Sequence, residues 1–195
     1  MSLLSMLPSH ALPMTEINSA AITAPMWTTL PRELVVEDQR QDNWCWAAVA
    51  TSLAKYYDPN TPWTQETVAN LELDRDDCQH SQTGGTCDKV RHLENVLKKM
   101  GMLAEWPTKY ALPVGSVRKD IEQGNPVGIR IGWRDSKGHY AVIVAISGDG
   151  LDASYYVSDP MYDDGICSRK TLYGNYQGQG GGWNESFRTK AGRQP

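Results

Sequence analysis

The sequence has no dense run of Lys or Arg, and its 195 residues carry a formal net charge of −4. Proteins that bind nucleic acid or an anionic membrane surface use clustered cations, so we expect neither partner. The longest apolar runs, such as residues 141–146, are far too short to span a bilayer. The N-terminus also lacks the basic segment and continuous apolar core of a Sec signal peptide. We therefore expect neither a transmembrane helix nor Sec export.

Cysteine is scarce, because the chain has four, at positions 45, 78, 87 and 167. They are too few and too unevenly spaced for a disulfide-rich scaffold. Cys78 and Cys87 bracket a Gly-rich polar loop that can bring them together as a disulfide, which would indicate an oxidising environment. Zinc bound with His80 or His92 is an alternative, although the spacing matches no standard ligand pattern. Two free thiols are the third interpretation.

The composition predicts one folded domain with a loose N-terminal end. With 40% hydrophobic residues, a chain of this length can bury a core of its own. Residues 1–30 are rich in Ser, Thr, Pro, Ala and Met and show no sustained period, which is typical of a flexible leader or arm. We therefore assign residues 1–30 to the leader and residues 31–195 to the domain.

Helical patterns dominate the first half of that domain. From about Asn43, apolar residues recur at spacings of three and four as far as Tyr57, and Asp58-Pro59 ends the pattern. Caps and apolar periodicity predict three more helices: one after Thr64, one from about Asp88 to Gly101, and one over residues 116–123.

Strand patterns dominate the second half. Residues 126–133 alternate apolar with smaller or polar side chains, and residues 139–147 form a β-branched run typical of a strand buried on both faces. Residues 153–158 predict a third strand and residues 183–188 an edge strand. Helices followed by antiparallel strands indicate an α+β fold, with an N-terminal helical lobe packed on a C-terminal antiparallel β-sheet lobe.

Cys45 stands between two tryptophans at the start of the first predicted helix. The thiolate is the reactive form of cysteine, and the positive end of a helix dipole favours it. A backbone N–H at the helix start can also donate to an oxyanion, and Gln39, six residues upstream, is a plausible second donor. The helix start therefore predicts a nucleophile together with half of an oxyanion hole.

His139 is the best candidate for the base that such a cysteine needs. Of the four histidines, it alone follows a glycine at the start of the buried strand, a rigid position from which an imidazole can be aimed. Asp159 ends the next predicted strand, so it falls beside His139 if the two strands pair as neighbours. It would then orient the imidazole.

Each of these residues also has an ordinary structural interpretation. A buried cysteine is more often a small hydrophobe than a nucleophile. His139 alone is compatible with a hydrogen-bonded strand residue, and Asp159 with a turn cap. Their joint arrangement favours the catalytic interpretation, because the probability that all of them take these positions by chance is the product of their separate probabilities.

Three segments carry a family resemblance: Q-R-Q-D-N-W-C-W-A-A, G-H-Y-A-V-I-V and Y-Y-V-S-D-P. Their order resembles the Gln, Cys, His, Asp order of papain-like cysteine peptidases, most closely the bacterial branch of avirulence-type effectors. The resemblance implies a papain-like fold with Gln39 as oxyanion donor, Cys45 as nucleophile, His139 as general base and acid, and Asp159 as its orienting partner. It also implies a secreted or delivered bacterial effector or toxin that hydrolyses peptide bonds of a protein substrate, with no metal or organic cofactor.

Several alternatives stay open at this point. Gln41 replaces Gln39 if the loop is kinked, and Asp163 or Asp164 replaces Asp159 if the strand register slips. The same catalytic residues also suit an amidase, a deamidase or an acyl transferase. A catalytically inactive binding module is a third class of function, and a cognate immunity or inhibitor protein is a further possible partner.

Overall fold

Four of the five described α-helices precede the main sheet in the computed structural model, which describes residues 26–135 and 137–193. The helices are α1 (Cys45–Tyr57), α2 (Gln65–Leu73), α3 (Leu93–Lys99), α4 (Val114–Glu122) and α5 (Arg169–Gly174). The strands are β1 (Thr28–Thr29), β2 (Val127–Gly132), β3 (Gly138–Ser147), β4 (Ser154–Ser158), β5 (Gly165–Ser168) and β6 (Gly182–Arg188). The predicted α+β architecture is confirmed.

The sheet is antiparallel throughout, in the order β5-β4-β3-β2-β6. Strand β3 lies at its centre and also pairs with β1. Strand β6 is an edge strand, as the sequence predicts. Because β3 and β4 pair as neighbours, the start of β3 and the end of β4 lie at the same end of the sheet. That end carries the residues of the candidate site.

Helix α1 lies in the middle of the core. Eleven of its residues are buried, and it packs against α2, α3 and β3. Its alanines leave room for these neighbours, while Val49 and Leu53 supply fully buried apolar side chains. The start of the helix is thereby held firmly relative to the sheet.

Helix α2 begins as its cap predicts. The Thr64 side chain accepts a hydrogen bond from the backbone N–H of Thr67, and the Thr67 side chain accepts one from the N–H of Thr64. This reciprocal capping satisfies two of the N–H groups that have no partner inside a helix.

The predicted start of α3 at Asp88 is wrong, because the helix begins at Leu93. The Asp88 carboxylate accepts hydrogen bonds from the backbone N–H groups of Asn43 and Gly84. One local bond and one long-range bond thus hold the chain around Asp88 in an irregular conformation, and helical periodicity in the sequence does not reveal them.

Cys78 and Cys87 form a disulfide, with their Cα atoms 5.6 Å apart. The disulfide interpretation is therefore the correct one, and the zinc and free-thiol alternatives for this pair are wrong. The loop that it closes runs beside the start of α1 and is hydrogen-bonded to it.

The predicted leader is described only in its last part. Thr28 and Thr29 pair with Ile146 and Ala145 of β3, and residues 1–25 lie outside the described residues. Within the described part of the chain, no helix combines the length and apolar character required to cross a bilayer.

Candidate active site

Cys45 is the first residue of α1, and its thiol is free and buried. No side chain caps this helix, and its first turn contains no acidic residue. The first N–H groups of a helix have no intrahelical acceptor. The positive end of α1 is therefore uncompensated at the position of the sulfur.

His139 is the second residue of β3, where it pairs with Ile131 of β2. Its side chain is buried, and Nε2 lies 2.7 Å from Oδ1 of Asp159. The ring also lies close enough to the Cys45 side chain to interact with it electrostatically. Since Nε2 is engaged by Asp159, Nδ1 is the ring nitrogen left for the sulfur.

Asp159 directly follows β4 and is buried. Besides its contact with His139, Oδ1 accepts hydrogen bonds from the backbone N–H groups of Met161 (2.8 Å) and Tyr162 (3.1 Å). Asp164 instead accepts from the backbone N–H of Asp159 at 2.8 Å. Of the three aspartates considered for this position, the structure thus brings Asp159 against His139.

His139 carries a strongly shifted pKa. Burial by itself lowers the pKa of an imidazole, but the hydrogen bonds and negative charges of Asp159 and Cys45 outweigh it and raise the pKa of His139 to about 9. An imidazole in this environment is protonated at neutral pH. The site therefore favours a cationic ring between two partners that can be anionic.

Gln39 lies in the loop before α1. Its side-chain Nε2 donates to the carbonyl oxygens of Gln41 (2.9 Å) and Asp42 (2.7 Å). Its backbone N–H donates to the carbonyl of Pro160 at 2.9 Å, which joins this loop to the turn that follows Asp159. The Gln41 side chain turns away and donates to the carbonyl of Ser81 at 3.0 Å.

Three aromatic rings surround the His139–Asp159 pair. Trp133 stacks on His139 with ring centroids 6.3 Å apart, and Tyr162 meets the same imidazole edge-on at 5.7 Å. Tyr176 stacks on Trp133 at 6.3 Å and donates its hydroxyl to Oδ2 of Asp159 at 2.8 Å. None of the three could be assigned to the site from the sequence. Trp133 ends the alternating segment 126–133 and is indistinguishable there from a core residue, whereas Tyr162 and Tyr176 lie in turns without hydrophobic periodicity.

A cysteine at a helix start, next to a histidine that is hydrogen-bonded to an aspartate from the same antiparallel sheet, is the arrangement of a papain-like cysteine protease. The family model described as papain-like cysteine protease AvrRpt2 matches residues 25–172, so the chain belongs to this family. The resemblance seen in the sequence, the papain-like fold and the enzyme class are thereby confirmed.

Two further comparisons add little to that assignment. Curated protein sequences gave no match. A solved structure from work on limited antibody cross-reactivity between the mite allergens Blo t 1 and Der p 1 is similar over 80% of this chain and 67% of that chain. Its identity is 15% and its TM-score 0.45. The family assignment therefore rests on the sequence match.

Proposed function

We propose that this protease hydrolyses peptide bonds of a protein substrate through a Cys45–His139–Asp159 triad, with Gln39 as an oxyanion donor. The observation that carries the proposal is the free Cys45 thiol at the start of α1, next to a His139 ring whose Nε2 is hydrogen-bonded to Asp159. A nucleophile, a base in contact with it and a third group that orients the base are the minimum for covalent catalysis.

In the first step, the Cys45 sulfur attacks the carbonyl carbon of the scissile peptide. A pKa of about 9 means that His139 holds a proton at neutral pH before the attack. His139 gives this proton to the leaving amine as the C–N bond breaks, so that the amine leaves uncharged. The product is a thioester on Cys45, and the neutral imidazole is left beside it.

In the second step, water releases the acyl group. The neutral His139 takes a proton from the water as its oxygen attacks the thioester carbon. The C–S bond then breaks, the carboxylic acid product leaves, and the sulfur and the protonated imidazole are restored as a pair. Asp159 stays in place through both steps and holds the ring by Nε2.

The negative oxygen of both tetrahedral intermediates needs donors. The backbone N–H of Cys45 belongs to the first turn of α1 and has no intrahelical acceptor. The Gln39 amide supplies the second donor when the oxyanion displaces one of the two loop carbonyls that it now contacts. Its backbone bond to Pro160 keeps the loop next to the triad.

We further propose that the protein is a bacterial effector or toxin, secreted or delivered into a target cell by a route other than Sec. Membership of the AvrRpt2 family supports this role. The Cys78–Cys87 disulfide is consistent with passage through an oxidising environment. A cognate immunity or inhibitor protein would be a partner of a toxin of this kind.

The test is the rate of Cys45 alkylation by iodoacetamide across pH, with mass spectrometry to identify the modified residue. At pH 6 an unperturbed thiol is almost fully protonated and reacts slowly. We expect rapid modification of Cys45 at this pH in the wild type and a large loss of rate in His139→Ala.

Cys167 is the internal control, because burial raises its pKa to about 11 and it should stay unmodified at pH 6. Equal rates of Cys45 alkylation in the wild type and in His139→Ala would contradict the proposal. A peptide library cleaved by the wild type but not by Cys45→Ala then identifies the bond and the preferred side chains.

A further inference from the structure

The inference concerns Tyr176, whose hydroxyl contacts the side of Asp159 that faces away from His139. The two carboxylate oxygens have different environments. Oδ1 takes the contact with His139 and two backbone N–H groups, whereas Oδ2 accepts from the Tyr176 hydroxyl at 2.8 Å. Among the hydrogen bonds of the described residues, this is the one made to Oδ2.

The hydroxyl is the donor in this bond. Tyr176 is buried, with 3% of its surface exposed. Burial and the neighbouring Asp159 charge raise the pKa of Tyr176 well above its ordinary range, so the phenol keeps its proton. A buried carboxylate oxygen without a donor is costly, and hydrogen bonds to charged groups are stronger than those between neutral groups.

The backbone around Tyr176 is fixed by a tight turn. Its N–H donates to the carbonyl of Gly181 at 2.9 Å, and the N–H of Gln179 returns to the carbonyl of Tyr176 at 3.1 Å. Gly181 is required here, since an added Cβ would come within 2.2 Å of the Trp133 ring. The turn therefore holds the phenol ring and the Trp133 indole at set positions.

We propose that Tyr176 is a positioning residue of the active site, which fixes the Asp159 carboxylate so that Oδ1 faces Nε2 of His139. A rotation of the carboxylate about its bond to Cβ would move Oδ1 away from the imidazole. The Tyr176 hydroxyl opposes that rotation from the other side. This inference rests on the proposed function, because it concerns how the triad is held.

The test uses Tyr176→Phe and the iodoacetamide reaction of Cys45. The substitution removes one oxygen and keeps the ring between its aromatic neighbours. We expect the alkylation rate at pH 6 to fall on the order of tenfold to a hundredfold, in line with the loss of a hydrogen bond to a charged group. The rise of the rate with pH should move upward by about one to two units, since each tenfold change in an ionisation equilibrium is one unit.

Tyr173→Phe is the matched control. Tyr173 lies on α5, three residues before Tyr176, and its hydroxyl donates to the carbonyl of Leu112 at 3.5 Å. Cys45 in this variant should be alkylated at the wild-type rate. The titratable groups that face the His139–Asp159 pair or Tyr176 are Cys45 on α1, Cys167 on β5, and Tyr162 and Asp164 in the turn after β4.

A double-mutant cycle separates positioning from packing. In an Asp159→Ala background there is no carboxylate to hold, so adding Tyr176→Phe should not lower the rate further. A further loss in that background would contradict the proposal, as would a wild-type rate and pH profile in the single variant. If Tyr176→Phe alone does not fold, the comparison in the Asp159→Ala background can still refute the proposal, because a further loss of rate there cannot act through the carboxylate.

Failure of the proposed function has a different result. If His139→Ala alkylates as fast as the wild type, the Cys45–His139 pair is not functional, whatever Tyr176 does. If His139→Ala is slow and Tyr176→Phe is normal, the triad stands and the role of Tyr176 is refuted. Circular dichroism melts of every variant confirm that the rates refer to folded protein.

Discussion

The ionisation of His139 bears on stability as well as on the proposed mechanism. Its folded pKa of about 9 lies above the ordinary value of 6.5. A raised histidine pKa contributes stability that is fully present below the unfolded pKa and is lost as pH rises through the folded one. The stabilising effect of the Asp159 charge on the ring should therefore be present at pH 6 and absent above pH 9.

Denaturant unfolding of the wild type and Asp159→Asn tests this expectation. The substitution keeps the shape of the side chain and removes its charge, so the wild type should exceed the variant in unfolding free energy at pH 6. At pH 9.5 the difference should shrink, because the imidazole is then largely neutral. A difference that grows with pH would mean that His139 is neutral in the folded protein.

Of the two glutamines before α1, Gln39 is proposed to donate to an oxyanion and Gln41 is not. Acylation by p-nitrophenyl acetate forms an oxyanion, whereas alkylation by iodoacetamide does not. Gln39→Ala should slow acylation roughly 100-fold, the cost of removing one oxyanion donor, and should change alkylation by no more than a few-fold. Gln41→Ala should change neither rate much, since its amide faces Ser81. The reverse pattern would assign the donor to Gln41.

At the residue scale, sequence patterns could place the candidate site residues but not their surroundings. Cys45, His139 and Asp159 could be predicted because each lies at the start or end of a regular element, where periodicity marks the boundary. Tyr176 could not, because it lies in a Gly-rich turn between α5 and β6. Its importance depends on a contact across 17 residues with Asp159, and spacing in the sequence does not encode such a contact.

Among the elements, the disulfide loop has the most direct influence on the site. The indole N–H of Trp44 donates to the carbonyl of Cys87 at 2.8 Å, and that of Trp46 donates to the carbonyl of Lys89 at 2.9 Å. The Asp88 carboxylate holds the backbone N–H of Asn43 at 2.9 Å. The loop thus anchors the two tryptophans that flank Cys45 and the residue before the helix, and leaves the first backbone N–H groups of α1 free.

The variant Cys78→Ser/Cys87→Ser tests this support. Removing the bridge should lower the unfolding free energy by about 2–3 kcal/mol, the chain-entropy value for a loop of this size. It should also slow Cys45 alkylation several-fold, since the helix start loses its firm contacts. Cys167→Ala is the control and should keep the wild-type alkylation rate. If the double variant alkylates Cys45 at the wild-type rate, the loop contributes to stability alone.

Element types could be predicted better than element limits. The β-branched run of β3 and the capped start of α2 follow from local chemistry, and both are confirmed. The start of α3 is five residues later than predicted, because Asp88 is held by Asn43, which lies 45 residues away in the chain. Short elements such as β5 and α5 have too few residues to show a period.

At the scale of the whole molecule, the site is assembled from both halves of the chain. Cys45 comes from the helical half, and His139 and Asp159 come from one end of the sheet. The backbone bond from Gln39 to Pro160 joins the two at the site itself. The relative position of helix α4 and the sheet is fixed elsewhere, by the ion pair between Asp120 on α4 and Arg188 at the end of β6.

Arg188 should contribute to the stability of the fold and not to catalysis. Its Nε donates to Oδ2 of Asp120 at 2.8 Å, and the Asp120 side chain is 4% exposed. Arg188→Met leaves a buried charge without its partner, which should lower the unfolding free energy by about 3 kcal/mol. Adding Asp120→Asn removes that charge and should restore much of the loss.

In both variants Cys45 should be alkylated at the wild-type rate below the melting transition. A changed rate would show that this ion pair also positions the triad, whereas unchanged stability would show that solvent replaces Arg188 as the partner of Asp120.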